Sequence, residues 1–146
     1  MDKAVSYLRI LFHVLILILI ILSLYPGSIL GFLLYGDFRA QPQFTKDFSY
    51  FSSQHFYSYL LVSALGFFSY LRDEKFKLVV IYLFFLSIIL EVAHLIISER
   101  SFQIEDLTGN ILGVLIAYII VQIYIFWRKK QWVHLMKEKK VLKRNL

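Results

Sequence analysis

The sequence predicts an all-α membrane protein, a bundle of four antiparallel transmembrane helices with both termini in the cytoplasm. Of its 146 residues, 59% are apolar and only 18% are charged, whereas soluble domains carry about 45 to 50% apolar and about 25% charged residues. The mean hydropathy is +0.66, and the apolar residues are concentrated in four blocks of near-spanning length. We therefore set aside three classes of protein: the soluble enzyme, the secreted disulfide scaffold and the disordered chain.

The cysteine count and the charge exclude further kinds of site and partner. The chain has no Cys, which excludes disulfides, thiolate nucleophiles, Cys-ligated zinc and iron–sulfur clusters. A pI near 9.5 would suit a nucleic-acid-binding protein, but the positive charge lies beside the apolar blocks rather than on a soluble basic face. We therefore expect no nucleic-acid partner, and we interpret the charge as a signal of membrane orientation.

The first predicted span covers residues 5–25 and is closed by Pro26-Gly27. About 20 helical residues cross a ~30 Å hydrocarbon layer, and no small-x-small cleavage site follows the block. We therefore expect a retained anchor rather than a signal peptide. Residues 28–35 are apolar but too short to span, so we expect an interfacial or re-entrant turn of helix before the polar loop at residues 36–50.

The other three predicted spans cover residues 53–71, 78–97 and 107–127. The two loops between them are short, and short connections make consecutive helices antiparallel neighbours. The resulting domain occupies residues 1–127, and residues 128–146 form a separate basic tail.

The distribution of Lys and Arg predicts which side of the membrane each loop faces. The N-terminus, the turn at residues 72–77 and the tail hold 2, 3 and 8 of the 16 basic residues, so this side is predicted to be cytoplasmic. The tail sets Trp127 and Trp132 against its cations, as in an amphipathic helix that binds anionic lipid. The alternative is a tail that only fixes the topology.

Polar side chains in three predicted spans collect near their outer ends. A charge inside hydrocarbon costs about 2.5–3.5 kcal/mol, so ionisable residues there are candidates for function. Helical spacing puts these groups on facing sides of the hairpin, and we predict one outer-leaflet pocket. Its residues are Glu91, His94, Arg100, Asp106, Asn110, His55 and Tyr59. The alternative is that such groups only hydrogen-bond helices together.

Small residues on the fourth span predict close helix packing. Gly113 and Ala117 follow Asp106 and Asn110 along one stripe of the helix, and Gly109 lies four residues before Gly113. Small residues at this spacing let two helix backbones approach each other. We assign these three positions to packing.

The run from Glu91 to Gly113 resembles the signature of the VanZ-like family of small bacterial membrane proteins. That signature reads Glu-x-x-Gln, then Arg, then Asp-Leu, then Asn-x-x-Gly, and Glu91, Arg100, Asp106 and Asn110 match it. His55 and Tyr59 resemble the His-x-x-x-Tyr that the family carries in its second span.

Two positions depart from the family pattern. His94 stands where the family usually has Gln, and the Asp-Lys pair usually found before the second-span His is absent. Phe51-Ser52 occupies that place, and Asp47 lies further upstream.

The resemblance implies a multi-pass protein of the bacterial cytoplasmic (inner) membrane, related to the determinant of low-level teicoplanin resistance. It implies no particular reaction. Our leading hypothesis is an accessory, non-enzymatic protein of the cell envelope whose outer pocket engages a lipid-linked or cell-wall-linked molecule or a glycopeptide. Arg100 would hold a phosphate or carboxylate, and Asp106 and Asn110 would orient it. This hypothesis requires neither a cofactor nor a metal and names no catalytic residue.

Two other function classes remain as alternatives. The first is an intramembrane enzyme that acts on a lipid-linked substrate, with acid–base or metal chemistry at Glu91, His94, His55 and Asp106. The second is a proton-linked transporter with Glu91 and His94 as the relay. Phosphate-loop, serine-hydrolase and zinc-protease motifs are absent from the sequence.

Overall fold

The structure is a computed structural model that describes residues 3–43 and 45–144, with side chains described as far as Trp132. The described residues form helices and loops with no strand, which confirms the all-α prediction. The five helices are α1 (Lys3–Leu24), α2 (Ile29–Tyr35), α3 (Ser53–Ser69), α4 (Phe76–Ala93) and α5 (Ile104–Arg144).

Three of these helices are long and apolar enough to cross a membrane: α1, α4 and the part of α5 from Ile104 to Trp132. Their outward faces carry large apolar side chains that the bundle does not cover, such as Leu17 on α1 and Phe85 on α4, which are 58% and 63% exposed. An apolar surface of this extent is typical of lipid contact rather than water contact. The chain therefore has the surface of a membrane protein.

Helix α3 lies at the centre of the bundle and contacts α1, α4 and α5. Its contact with α5 depends on two glycines. A Cβ at Gly109 would lie 2.6 Å from the Ser52 carbonyl oxygen, and a Cβ at Gly113 would lie 2.5 Å from the Phe56 carbonyl oxygen. Ala117, one turn further along, is fully buried. The small side chains on α5 thus permit backbone-to-backbone approach to α3.

Helix α1 is fastened to the turn between α3 and α4 at its N-terminal end. The Arg9 guanidinium donates to the Ser69 carbonyl and to the Asp73 carboxylate, the latter at 2.6 Å. The Lys75 backbone N–H and the Arg9 guanidinium lower the pKa of the Asp73 carboxyl. His13 Nε2 lies 3.0 Å from the Tyr70 hydroxyl. These contacts orient α1 against the rest of the bundle.

Two helix ends differ from the ends of the predicted spans. Helix α4 ends at Ala93, four residues before the predicted end of the third span, because the N–H groups of residues 94–96 bond three residues back and tighten the chain into turns. Helix α5 begins at Ile104, three residues before the predicted start, with Glu105 and Asp106 in its first turn.

The backbone of α5 continues past residue 127 as one helix to Arg144. No Gly or Pro falls between residues 128 and 144, so nothing in the sequence interrupts the helix. Side chains beyond Trp132 lie outside the described residues, and the amphipathic character of the tail stays a prediction.

Candidate functional site

A cavity of about 380 Å³ opens at the end of the bundle where α1 and α4 end and α3 and α5 begin. We call this end the cavity end. Residues of α1, α2, α3 and α5, the loop before α3 and the loop after α4 line it. Six of the seven predicted pocket residues are in the lining: His55, Tyr59, His94, Arg100, Asp106 and Asn110. Glu91, which is 1% exposed, is buried near them and does not line the cavity.

A hydrogen-bond chain fixes the orientation of His55. Asn110 Nδ2 donates to the Ser87 carbonyl at 3.3 Å, which turns its Oδ1 toward α3. This oxygen lies 2.9 Å from His55 Nδ1, and because an amide oxygen only accepts, Nδ1 must carry the hydrogen. Buried Asn110, on α5, therefore aligns the imidazole of α3 and leaves Nε2 facing the other way.

Asp106 and Glu91 face that second nitrogen. His55 Nε2 lies 3.5 Å from Asp106 Oδ2, and ligand-type atoms of His55, Asp106 and Glu91 all lie within 4.8 Å of one another. The Ser52 N–H donates to the Glu105 carbonyl and joins the start of α3 to the start of α5. Two carboxylates and an imidazole from three helices thus meet beside the cavity.

Glu91 and His94 connect α4 to the neighbouring segments. Glu91 Oε1 accepts from the Gln103 backbone N–H at 3.0 Å, so it holds the end of the loop that leads into α5. His94 Nδ1 lies 3.3 Å from the same oxygen, within ion-pair distance. His94 Nε2 donates to the Ser23 carbonyl at 3.1 Å. His94 therefore connects Glu91 on α4 to the end of α1.

Arg100 caps the C-terminal end of α1. Its Nε donates to the Tyr25 carbonyl at 3.2 Å and its Nη2 to the Leu22 carbonyl at 2.8 Å. The last carbonyls of a helix have no partner within the helix, and a cation there also complements the helix dipole. Burial lowers the pKa of the Arg100 guanidinium below its ordinary value, although the Glu91 and Asp106 carboxylates act to raise it. The guanidinium stays charged.

Several parts of the cavity wall were not predicted. Ser23 is one of two polar interruptions in the α1 block and was the available signal for a contact there. Asp47 accepts from the Ser53 N–H at 2.9 Å and caps α3 across a loop, although no short-range capping pattern marks it. Gln103 also lines the cavity, and nothing in its sequence surroundings indicates this.

One family of known proteins matches the chain. The family model described as VanZ/LLP1 matches residues 9–127, which run from α1 into α5 and include every residue of the predicted pocket. No curated protein and no solved structure matches the chain.

Proposed function

The chain belongs to the VanZ/LLP1 family, and from this premise we propose that it is a multi-pass protein of the bacterial cytoplasmic membrane that binds a polar headgroup in its cavity. The headgroup would belong to a lipid or to a cell-wall-linked molecule at the outer face. The observation that carries the proposal is the polar cavity at the end of an otherwise apolar bundle.

The proposed topology has four spans, with α3 as the second. Its 17 residues rise ~26 Å at 1.5 Å per residue, and apolar neighbours such as Tyr70 and Leu71 extend it toward the ~30 Å of hydrocarbon. Short spans are accommodated by local bilayer thinning at modest cost. With four spans and the basic ends inside, the cavity end faces outward.

The size of the cavity favours a headgroup over a whole antibiotic. Ligand pockets have volumes of roughly 300–1,000 Å³, and this cavity, at about 380 Å³, is at the lower end. A glycopeptide, with its peptide and sugars, is too large to enter it. An effect on teicoplanin would therefore follow from binding or altering the lipid or precursor that the antibiotic meets.

The charges in the wall suit an anionic group at Arg100, with hydroxyl or ammonium donors of the same headgroup facing the Asp106 carboxylate. Arg100 has five N–H donors, and its two described bonds go to α1, so further donors are available to a phosphate or carboxylate. Asp106 and Asn110 supply carboxylate and amide groups on the α5 side. Leu30, also in the lining, gives the wall an apolar part next to the lipid.

The first test is teicoplanin susceptibility in a sensitive Gram-positive host. Wild type, Asp106→Asn and Glu105→Gln are compared at matched membrane abundance. Glu105 is the neighbouring first-turn carboxylate, exposed and outside the cavity lining, so its variant is the matched control. We expect protection by wild type and by Glu105→Gln and loss of protection in Asp106→Asn. Equal protection by all three would contradict a role for the cavity.

A second candidate function is an intramembrane enzyme that acts on a lipid-linked substrate. The pair of His55 Nε2 and Asp106 Oδ2, 3.5 Å apart at the cavity, favours it because such a pair can move a proton to or from a bound substrate. A turnover assay with labelled lipid-linked substrates would test it. Turnover that His55→Gln abolishes and His13→Gln preserves would support catalysis, and unchanged substrate with wild type would contradict it.

A further inference from the structure

The cluster of His55, Glu91 and Asp106 is built from three different helices, α3, α4 and α5. Each side chain offers one nitrogen or oxygen ligand atom, and these atoms all lie within 4.8 Å of one another. Because each residue is fixed by a separate helix, the grouping depends on the whole bundle rather than on local sequence. The three side chains therefore meet whether or not the larger cavity holds a ligand.

The cluster is arranged so that acceptors face one another. Asn110 Oδ1 holds the hydrogen on His55 Nδ1, so Nε2 is the ring nitrogen that faces Asp106 as a potential ligand atom. Ligated histidines in proteins are held this way, with the second ring nitrogen donating to a carbonyl or carboxylate. Asn110 thus holds the His55 ring in the orientation that a metal ligand needs.

Glu91 supplies a carboxylate oxygen without a hydrogen-bond partner to the same cluster. Its Oε1 accepts from Gln103, but its Oε2 is buried and has no hydrogen-bond partner among the described residues. A buried carboxylate oxygen without a partner is costly. The described bonds of Arg100, the nearest arginine in the wall, go to α1 carbonyls instead. A positive group between Glu91, Asp106 and His55 would remove the cost.

We propose that His55, Glu91 and Asp106 bind a divalent transition-metal cation, of which Zn²⁺ is the type. One imidazole with two carboxylates suits Zn²⁺ better than Mg²⁺ or Ca²⁺, which prefer oxygen ligands alone. Two ligands bound at ~2.1 Å in a tetrahedron are ~3.4 Å apart, close to the 3.5 Å between His55 Nε2 and Asp106 Oδ2. A carboxylate oxygen of Glu91, within 4.8 Å of both other ligand atoms, completes the set.

The geometry leaves at least one coordination position toward the cavity. His55 and Asp106 both line the cavity, with side chains 34% and 17% exposed, whereas Glu91 closes the buried side. Three protein ligands with an open position are typical of metal sites that bind a further group. His94 is not among the ligand atoms that meet in this cluster; its Nδ1 lies 3.3 Å from Glu91 Oε1 instead.

Metal binding is tested on the full chain in detergent after treatment with a chelator. Equilibrium dialysis against Zn²⁺, with elemental analysis, is expected to give one ion per chain for the wild type. Affinity should fall at least about tenfold in His55→Gln and in Asp106→Asn. The controls are His13→Gln, since His13 lies midway along α1 and contacts Tyr70 at the C-terminal end of α3, and Glu105→Gln; both should keep the ion.

A second measurement is made on the wild type, so that a variant that fails to fold does not decide the result. Co²⁺ added to the wild type should give a visible absorption spectrum that Zn²⁺ abolishes, and the spectrum should change in Asn110→Ala, where His55 loses its support. Wild type that binds no stoichiometric Zn²⁺ and gives no Co²⁺ spectrum would overturn the proposal. Binding that persists in both His55→Gln and Asp106→Asn would overturn it as well.

Discussion

At the scale of single residues, Arg100 combines two tasks at one position. It donates to the Leu22 and Tyr25 carbonyls at the end of α1, and it lines the cavity beside Asp106. Loss of function in an Arg100 variant would therefore report on the position of α1 as much as on ligand binding. For this reason Asp106, which makes no comparable contact with α1 among the described hydrogen bonds, is the more informative position for functional tests.

The capping role of Arg100 makes a prediction of its own. Arg100→Lys keeps the charge but cannot donate to both carbonyls in the fixed fork of a guanidinium. Because a hydrogen bond to a charged group contributes about 1.5–3 kcal/mol, we expect the free energy of unfolding in mixed micelles to fall by about 1–3 kcal/mol. Arg39→Lys, in the exposed loop before α3, is the control. Equal stability of both variants and wild type would show that Arg100 does not hold α1.

The residues of the candidate site could be named from the sequence because a bilayer makes polar side chains conspicuous. Glu91 interrupts an apolar block, Asp106 and Asn110 stand at the start of the next, and the hairpin between the two blocks predicts that all three lie at one depth. The direction of His94 could not be predicted, because it depends on α4 ending at Ala93 and on a carbonyl of α1. Contacts across a loop, such as Asp47 with Ser53, leave no periodic signal.

At the scale of elements, the contact between α3 and α5 holds the site together. His55 and Asn110 face each other across it, and the glycines of α5 set the distance between the two backbones. Tyr59, buried one turn below His55, packs against the same stripe, since its Cβ lies 2.9 Å from the place where a Gly113 Cβ would be. Any widening of this contact would separate the ligands of the proposed metal.

Gly113→Ala is predicted to widen that contact. The added methyl group would meet the Phe56 carbonyl and the Leu60 amide, both backbone groups that cannot rotate away, and overpacking of this kind costs about 1–3 kcal/mol. We expect a matching loss in the free energy of unfolding. Ile119→Ala, on the exposed side of α5, should change it much less. A fully stable Gly113→Ala chain would contradict the close packing of α3 and α5.

The helices themselves differ in how well the sequence predicts them. Helices α1 and α4 are found from hydropathy alone, because each apolar block has an end marked by polar or turn-forming residues. The end of α5 cannot be found from hydropathy. The residues after position 127 are basic rather than apolar, but they favour a helical backbone as well. Hydropathy predicts where a chain meets lipid, and helix propensity predicts where the helix stops.

At the scale of the whole molecule, charge and hydropathy are arranged along one axis. The turn between α3 and α4 and the extension of α5 carry most of the basic residues, and the cavity with its carboxylates lies at the opposite end. The positive-inside rule turns this asymmetry into an orientation. The proposed headgroup, of a lipid or a cell-wall-linked molecule at the outer face, can reach the cavity only if the cavity end faces outward.

The orientation of the cavity is the central claim, and single cysteines test it directly because the natural chain has none. Gln41 lines the cavity, and Glu74 is exposed in the turn between α3 and α4. In intact Gram-positive cells treated with a membrane-impermeant maleimide, Gln41→Cys is predicted to be labelled, and Glu74→Cys only after permeabilisation. Labelling of Glu74→Cys in intact cells, with Gln41→Cys protected, would place the cavity in the cytoplasm and contradict the account.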